Sequence, residues 1–109
     1  MMTRTSLAYL GEFEQLVLLA VLRLGDEAYA VTIRRAIEEA AARTVSRGAL
    51  YTTLERLEAK GLLASRMGEP RPDRGGRARR YHKVTAAGVR ALRAAHEAVS
   101  RLSAGIDLA

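Results

Sequence analysis

The sequence predicts a mainly α-helical chain with a small β-hairpin, arranged as a winged helix-turn-helix followed by one further helix. Three observations predict it. Two helical segments are joined by only four residues, an arginine-rich hairpin pattern follows them directly, and the chain closes on an amphipathic segment with heptad-like apolar spacing. At 109 residues the chain is the size of one domain with one core. The expected division is a leader over residues 1–10, the winged helix-turn-helix over 11–84, and a C-terminal dimerisation helix and tail over 85–109.

The first helix is expected from about Gly11 to Leu24. Glu12 and Glu14 stand in its first turn, where the helix dipole favours negative charge, and Gly25 stops it. Phe13, Leu16, Val17, Ala20, Val21 and Leu24 form one face, yet Leu18, Leu19 and Leu22 make the opposite side apolar too. A helix apolar all round must be buried all round, so part of it is expected against a second subunit. The second helix, about Tyr29 to Ala42, turns Ala30, Ile33, Ile37 and Ala41 inward and Arg34, Arg35, Glu38 and Glu39 outward. After the connection Arg43-Thr44-Val45-Ser46, with Ser46 as N-cap, a third helix runs to Lys60-Gly61.

Leu62 to Gly68 reads as a strand and Arg77 to Val84 as its return, with Pro70, Pro72 and Asp73-Arg74-Gly75-Gly76 supplying the turn. The prolines lack amide donors and must lie at or beyond the paired region. Thr85 is the expected cap of the last helix, which runs to about Ser103. Its apolar stripe of Val89, Leu92, Val99 and Ile106, with His96 in register, calls for a partner surface. Phe13 and Val17 on the first helix, with Val89, Leu92, His96, Val99 and Leu102 on the last, are the expected homodimer interface.

Composition narrows the function. With 49% hydrophobic residues but four Tyr, one Phe and no Trp, the core must be aliphatic. The absence of cysteine removes disulfides, thiolate nucleophiles and Cys-based zinc sites. His82 and His96 fall in different elements with no paired carboxylate or Cys motif around them, so neither a metal site nor general-base catalysis is expected, and no cofactor is called for. The N-terminus lacks the pattern of a signal peptide. The apolar run from Leu16 to Leu22 is far shorter than the roughly 18 residues that span a bilayer. A soluble, cytoplasmic protein with no membrane partner is expected.

The formal charge of +6 is localised. Residues 1–65 balance eight basic against eight acidic side chains, whereas Arg66 to Lys83 carries seven basic residues (Arg66, Arg71, Arg74, Arg77, Arg79, Arg80, Lys83) against Glu69 and Asp73. A patch of this kind recognises a polyanion, although a solvated charge-rich loop would look the same. On the third helix, Leu50, Leu54 and Leu57 share one face at 100° per residue. The opposite side presents Gly48, Thr52, Glu55 and Arg56, with Ala49 beside them and Arg47 and Tyr51 on a flank. A small, polar face of this kind admits the DNA major groove, where Thr and Arg reach base edges or phosphates. Arg74, Arg77 and Arg79 are the wing residues expected to hold phosphates or enter a narrow groove, with Gly75 and Gly76 giving the tip its tight turn.

Several stretches carry a family resemblance: Leu10-Gly11-Glu12-Phe13-Glu14, Ala28-Tyr29-Ala30-Val31, Gly48-Ala49-Leu50-Tyr51-Thr52-Thr53-Leu54-Glu55-Arg56-Leu57, Lys60-Gly61-Leu62 and Gly76-Arg77-Ala78-Arg79-Arg80-Tyr81. Together they resemble the PadR family of transcriptional regulators over about Leu10 to Leu102. The resemblance implies a winged helix-turn-helix that binds operator DNA as a dimer and represses transcription, with the last helix as dimerisation arm. It also implies that Tyr29, Ser46, Tyr51 and the wing arginines approach the DNA backbone, while Thr52 and Arg56 lie near bases. The chain resembles the short form of the family, its C-terminal part being one helix rather than the larger domain of long members, and it lacks the tryptophan that drug-sensing short members place at their dimer interface. Two other readings stand beside this one. The chain could be a winged helix that docks an acidic protein partner, or a sensor with a small-molecule effector pocket at the dimer interface.

Overall fold

The computed structural model describes residues 9–108, so the expected leader lies outside the described residues except for Tyr9 and Leu10. The order is α1 (Glu12–Leu24), α2 (Ala30–Ala41), α3 (Arg47–Ala59), β1 (Leu63–Met67), β2 (Arg80–Val84) and α4 (Ala86–Ser103), with short 3-10 turns after α1 and at the hairpin tip. This is the expected mainly helical winged helix-turn-helix with a two-stranded antiparallel hairpin.

Local chemistry sets the element ends. The Ser46 hydroxyl accepts the Ala49 amide at 3.1 Å, and the Thr85 hydroxyl accepts the Gly88 amide at 3.0 Å, so both expected N-caps are made. At the start of α1, Glu14 reaches back to accept the Gly11 amide at 2.9 Å. α2 ends on Ala42 in the left-handed region (φ 53°), a position that favours glycine. Glu38 then folds back to accept the Val45 amide at 2.9 Å, closing the turn between α2 and α3. An expected outward-facing side chain therefore holds the helix-turn-helix together.

The core is aliphatic. Leu18, Ile33, Ile37, Leu50 and Leu57 are its largest fully buried side chains, joined by Val17, Val21, Leu54, Leu63 and Val84. The three leucines of α3 lie on one face as their spacing predicts, and Thr53 is buried beside them. On α1 the protomer by itself buries only part of the apolar surface. Glu14, Val17, Leu18 and Val21 face inward, while Leu19 and Leu22 remain about half exposed. Leu18, assigned by spacing to the far side, is fully buried in the core that α1 forms with α2, α3 and β2.

Two expected interface residues are corrected in the same way. Val17 is 0% and Leu92 7% exposed, so both are already used within the protomer's own core and offer no surface to a second copy. Phe13 and Val89 are partly buried against that core, whereas His96, Val99 and Leu102 are exposed. α4 thus begins inside the winged domain. Gly88, Ala91 and Leu92 pack there, and a Cβ on Gly88 would collide with the Leu62 carbonyl and the Val84 side chain. Beyond Ala95 the helix faces solvent on all sides except at Ser103.

Lys60, just past α3, donates to Glu14 of α1 at 2.9 Å. Burial pushes the Glu14 carboxyl up. The Gly11 amide, Lys60 and Arg56 more than offset this and hold it below its ordinary value. The first and third helices are therefore tied by a charge pair with one sheltered end.

Candidate nucleic-acid interface

The hairpin pairs Leu63 with Val84 through Met67 with Arg80. Both strands are shorter than their apolar pattern suggests. One further rung joins the Gly68 amide to the Arg79 carbonyl at 2.7 Å, and then the two prolines and a 3-10 turn over Pro72–Arg74 end the pairing. Gly75 and Gly76, at φ 67° and 78°, turn the chain back. Arg74, Arg77 and Arg79 consequently lie in the tip loop, outside the return strand where Arg77 and Arg79 were expected.

Each wing arginine has a different environment. Arg74 donates to the Glu69 carbonyl at 3.0 Å, bracing the loop across its base. Arg77 is exposed. Arg79 lies over the Tyr29 ring at 4.0 Å, a cation–π contact, and the neighbouring Tyr81 hydroxyl raises its pKa above the already high arginine value. Tyr29 meets Tyr81 edge to face at 5.7 Å, and Arg66 covers Tyr81 at 4.7 Å. The wing is thereby locked to the start of α2 by alternating guanidinium and phenol groups. The backbone repeats the link: Tyr29 forms an antiparallel bridge with Tyr81, and the His82 amide donates to the Ala28 carbonyl at 2.9 Å.

A second chain of contacts joins the wing to α3. Arg80 donates to the Ser65 hydroxyl at 3.0 Å, and that hydroxyl donates to Glu58 at 3.0 Å. His82 lies beneath, 7% exposed, with its Nδ1 buried and without a hydrogen-bond partner. Burial holds its pKa below the ordinary imidazole value, Glu58 partly opposing and Arg80 adding to the shift.

Between α2, α3 and the wing these contacts leave an open groove of about 1150 Å³. Arg34 and Arg35 of α2, Arg47 of α3, and Arg74, Arg77, Arg79 and Arg80 of the wing line it, against Glu55, Glu58 and Asp73. Asp73 is paired with Arg71 at 3.4 Å. The Nε atoms of Arg34 and Arg74 are buried without a hydrogen-bond partner, so these two guanidiniums keep donor capacity that no protein group uses. A concave, solvent-open surface with this excess of guanidinium is matched to phosphates held in a row.

The expected site residues divide in two. Tyr29, Arg47, Tyr51, Arg74, Arg77 and Arg79 all line the groove. Ser46, Gly48, Thr52 and Arg56 do not. They are exposed at the cap and on the outward ridge of α3, and the Ser46 oxygen already accepts a backbone amide. Sequence reasoning did not select Arg34, Arg35, Arg80 or Glu58 for the site, nor Tyr81 as a brace. Strand alternation was the available signal for Arg80, because it shares a face with His82 and Val84. Among the described residues no group of three His, Asp or Glu side chains is placed to hold a metal ion, and no helix is long and apolar enough to cross a membrane.

Known proteins place this architecture. The transcriptional regulator PadR-like family matches residues 18–94. The chain is 30% identical to a PadR-like transcription factor from Bacteroides fragilis, with a TM-score of 0.69 over 84% of this chain and 82% of that one. It is 28% identical to a PadR-family transcriptional regulator from Eggerthella lenta, with a TM-score of 0.66 over 87% and 82% of the two chains. A transcriptional regulator from Clostridium thermocellum shares the fold at 22% identity, with a TM-score of 0.68 over 83% and 84%. No curated protein sequence matches significantly. The family match covers most of the chain, the Bacteroides fragilis factor is 30% identical over more than four fifths of it, and so this protein belongs to the PadR-like family of transcriptional regulators.

Proposed function

We propose that the chain is a sequence-specific duplex DNA-binding repressor that works as a homodimer in the cytoplasm. The observation that carries this reading is the groove in which seven arginines from α2, α3 and the wing converge. In this reading the wing and α2 arginines hold phosphates, and the exposed ridge of α3 with Gly48, Thr52 and Arg56 enters the major groove. Exposed Val99 and Leu102 on the free end of α4 supply the surface for a second copy, which reads the symmetry-related half-site about one helical turn away. Repression is the form of regulation that the family resemblance implies. In this reading the site is a binding surface, and it is supported by membership of a family of transcriptional regulators.

A polarisation titration tests the proposal, with duplex from the gene's own upstream region and a scrambled duplex as control, at two salt concentrations. The upstream duplex is expected to bind at least tenfold more tightly, with affinity falling as salt rises. Equal binding to both duplexes would refute sequence-specific recognition and favour the basic wing as a docking surface for an acidic partner.

A further inference from the structure

The groove holds three carboxylates, and two of them have work within the protein. Asp73 pairs with Arg71, and Glu58 accepts the Ser65 hydroxyl. Glu55 has no hydrogen-bond or ion-pair partner among the described residues and is exposed. It stands three residues after Thr52 and four after Tyr51, so at helical spacing it occupies the wing-side shoulder of the ridge that α3 presents to solvent. A negative charge there weakens attraction for phosphate, and nothing in the fold requires it. A chain that needed only to hold the DNA backbone would gain from any neutral or basic residue at this position.

The cost is offset where the carboxylate meets a hydrogen-bond donor on the nucleic acid. In the major groove the base donors are the amino groups of adenine and cytosine. Adenine sets its N6 donor beside the N7 acceptor, which repels a carboxylate, whereas cytosine offers its N4 donor without that neighbour. Resting on the DNA-binding reading above, we infer that Glu55 is a specificity residue that accepts a hydrogen bond from the N4 amino group of a cytosine in each half-site.

Selection of bound duplexes from a randomised pool tests this with the wild-type chain, Glu55→Ala and Glu55→Gln. The side chain is exposed, and circular dichroism checks that both variants keep the fold. The wild type is expected to prefer cytosine at one half-site position by roughly tenfold or more. Glu55→Ala is expected to flatten that position alone while binding random duplex a few-fold more tightly. Glu55→Gln, whose amide matches the N6/N7 edge, is expected to move the preference toward adenine. Identical preferences in all three proteins would overturn the inference, as would tighter binding by Glu55→Ala with the cytosine preference intact. A wild type that selects no sequence at all would overturn the DNA-reading function and this role with it, so the two failures are distinguishable.

Discussion

Arg79 lies 4.0 Å above the ring of Tyr29, so the residue that aims the wing's charge rests on the residue that starts α2. The two are 50 positions apart in sequence, and their contact fixes the distance between wing and helix-turn-helix. Tyr29→Phe keeps the ring and is expected to leave DNA affinity nearly unchanged. Tyr29→Leu removes the face on which the guanidinium sits, and a few-fold loss of affinity is expected. The loss should be non-additive with Arg79→Ala in a double-mutant cycle, since Tyr29→Leu has little left to loosen once the guanidinium is gone. Additive losses would show that the stack does not position Arg79.

The other wing arginines should behave unequally. The Arg77 side chain is exposed and has no hydrogen-bond or ion-pair partner among the described residues, so Arg77→Ala should reduce affinity for every duplex alike and flatten the salt dependence by roughly one unit in log–log slope for the lost phosphate contact. Arg74 also spans the loop to the Glu69 carbonyl, so Arg74→Ala should cost more than its charge. The loop of Arg74→Ala should show faster amide exchange at Gly75 and Gly76, and that of Arg77→Ala should not.

Much of this architecture was legible because local rules and tertiary packing agree. The spacing of Leu50, Leu54 and Leu57 names a buried face whatever it packs against, and Ser46 and Thr85 cap their helices with contacts only three residues long. The failures have one cause. Apolar periodicity says that Val17 and Leu92 are covered but not by what, and the protomer's own core covers them. Leu18 was misplaced because α1 has apolar residues on every side, and the choice of inner face belongs to α2 and α3. The same limit hid the groove: Arg34, Arg47 and Arg80 are remote in sequence, and only the fold gathers them around one concave surface.

Stability should fall as the solution is made acidic, in two stages. His82 is held neutral in the fold by burial, with its pKa below the unfolded value near 6.5. Between those two values the unfolded chain binds a proton that the native chain does not, so stability is complete above about pH 6.5 and declines as pH drops through the interval. Glu14 follows at lower pH. Its folded pKa is depressed below 4.5, so its contribution is present above that value and is lost as pH falls toward the folded one. Urea midpoints measured from pH 7.5 to 5 should therefore drop for the wild type, and His82→Gln should flatten that decline.

Gly88 should resist even the smallest enlargement. Alanine is the better helix former by about 1 kcal/mol, which alone would predict stabilisation. At this position, however, the new Cβ meets the Leu62 carbonyl and the Val84 side chain where α4 crosses the base of the wing. The carbonyl belongs to backbone that already accepts the Thr85 amide at 3.1 Å, so it cannot yield cheaply. Gly88→Ala is expected to destabilise the fold by about 1–3 kcal/mol net, read as a lower urea midpoint. A gain in stability would show that α4 can move away from the wing.

The proposed dimer can be separated from the fold because its candidate surface lies beyond the core. Val99 and Leu102 are 59% and 80% exposed, on the part of α4 that leaves the winged domain after Ala95. Replacing both with aspartate puts charge where a second copy would bury apolar surface and removes nothing that the protomer packs against. The double variant is expected to keep its circular dichroism and urea midpoint at low concentration, to run as a monomer by light scattering at micromolar concentration, and to lose cooperative binding to a two-half-site duplex while still binding one half-site weakly. The same change at Val17 or Leu92 would unfold the chain, since those side chains are in its core. A double variant that remains dimeric would place the interface elsewhere, with half-exposed Leu19 and Leu22 of α1 as the next surface to alter.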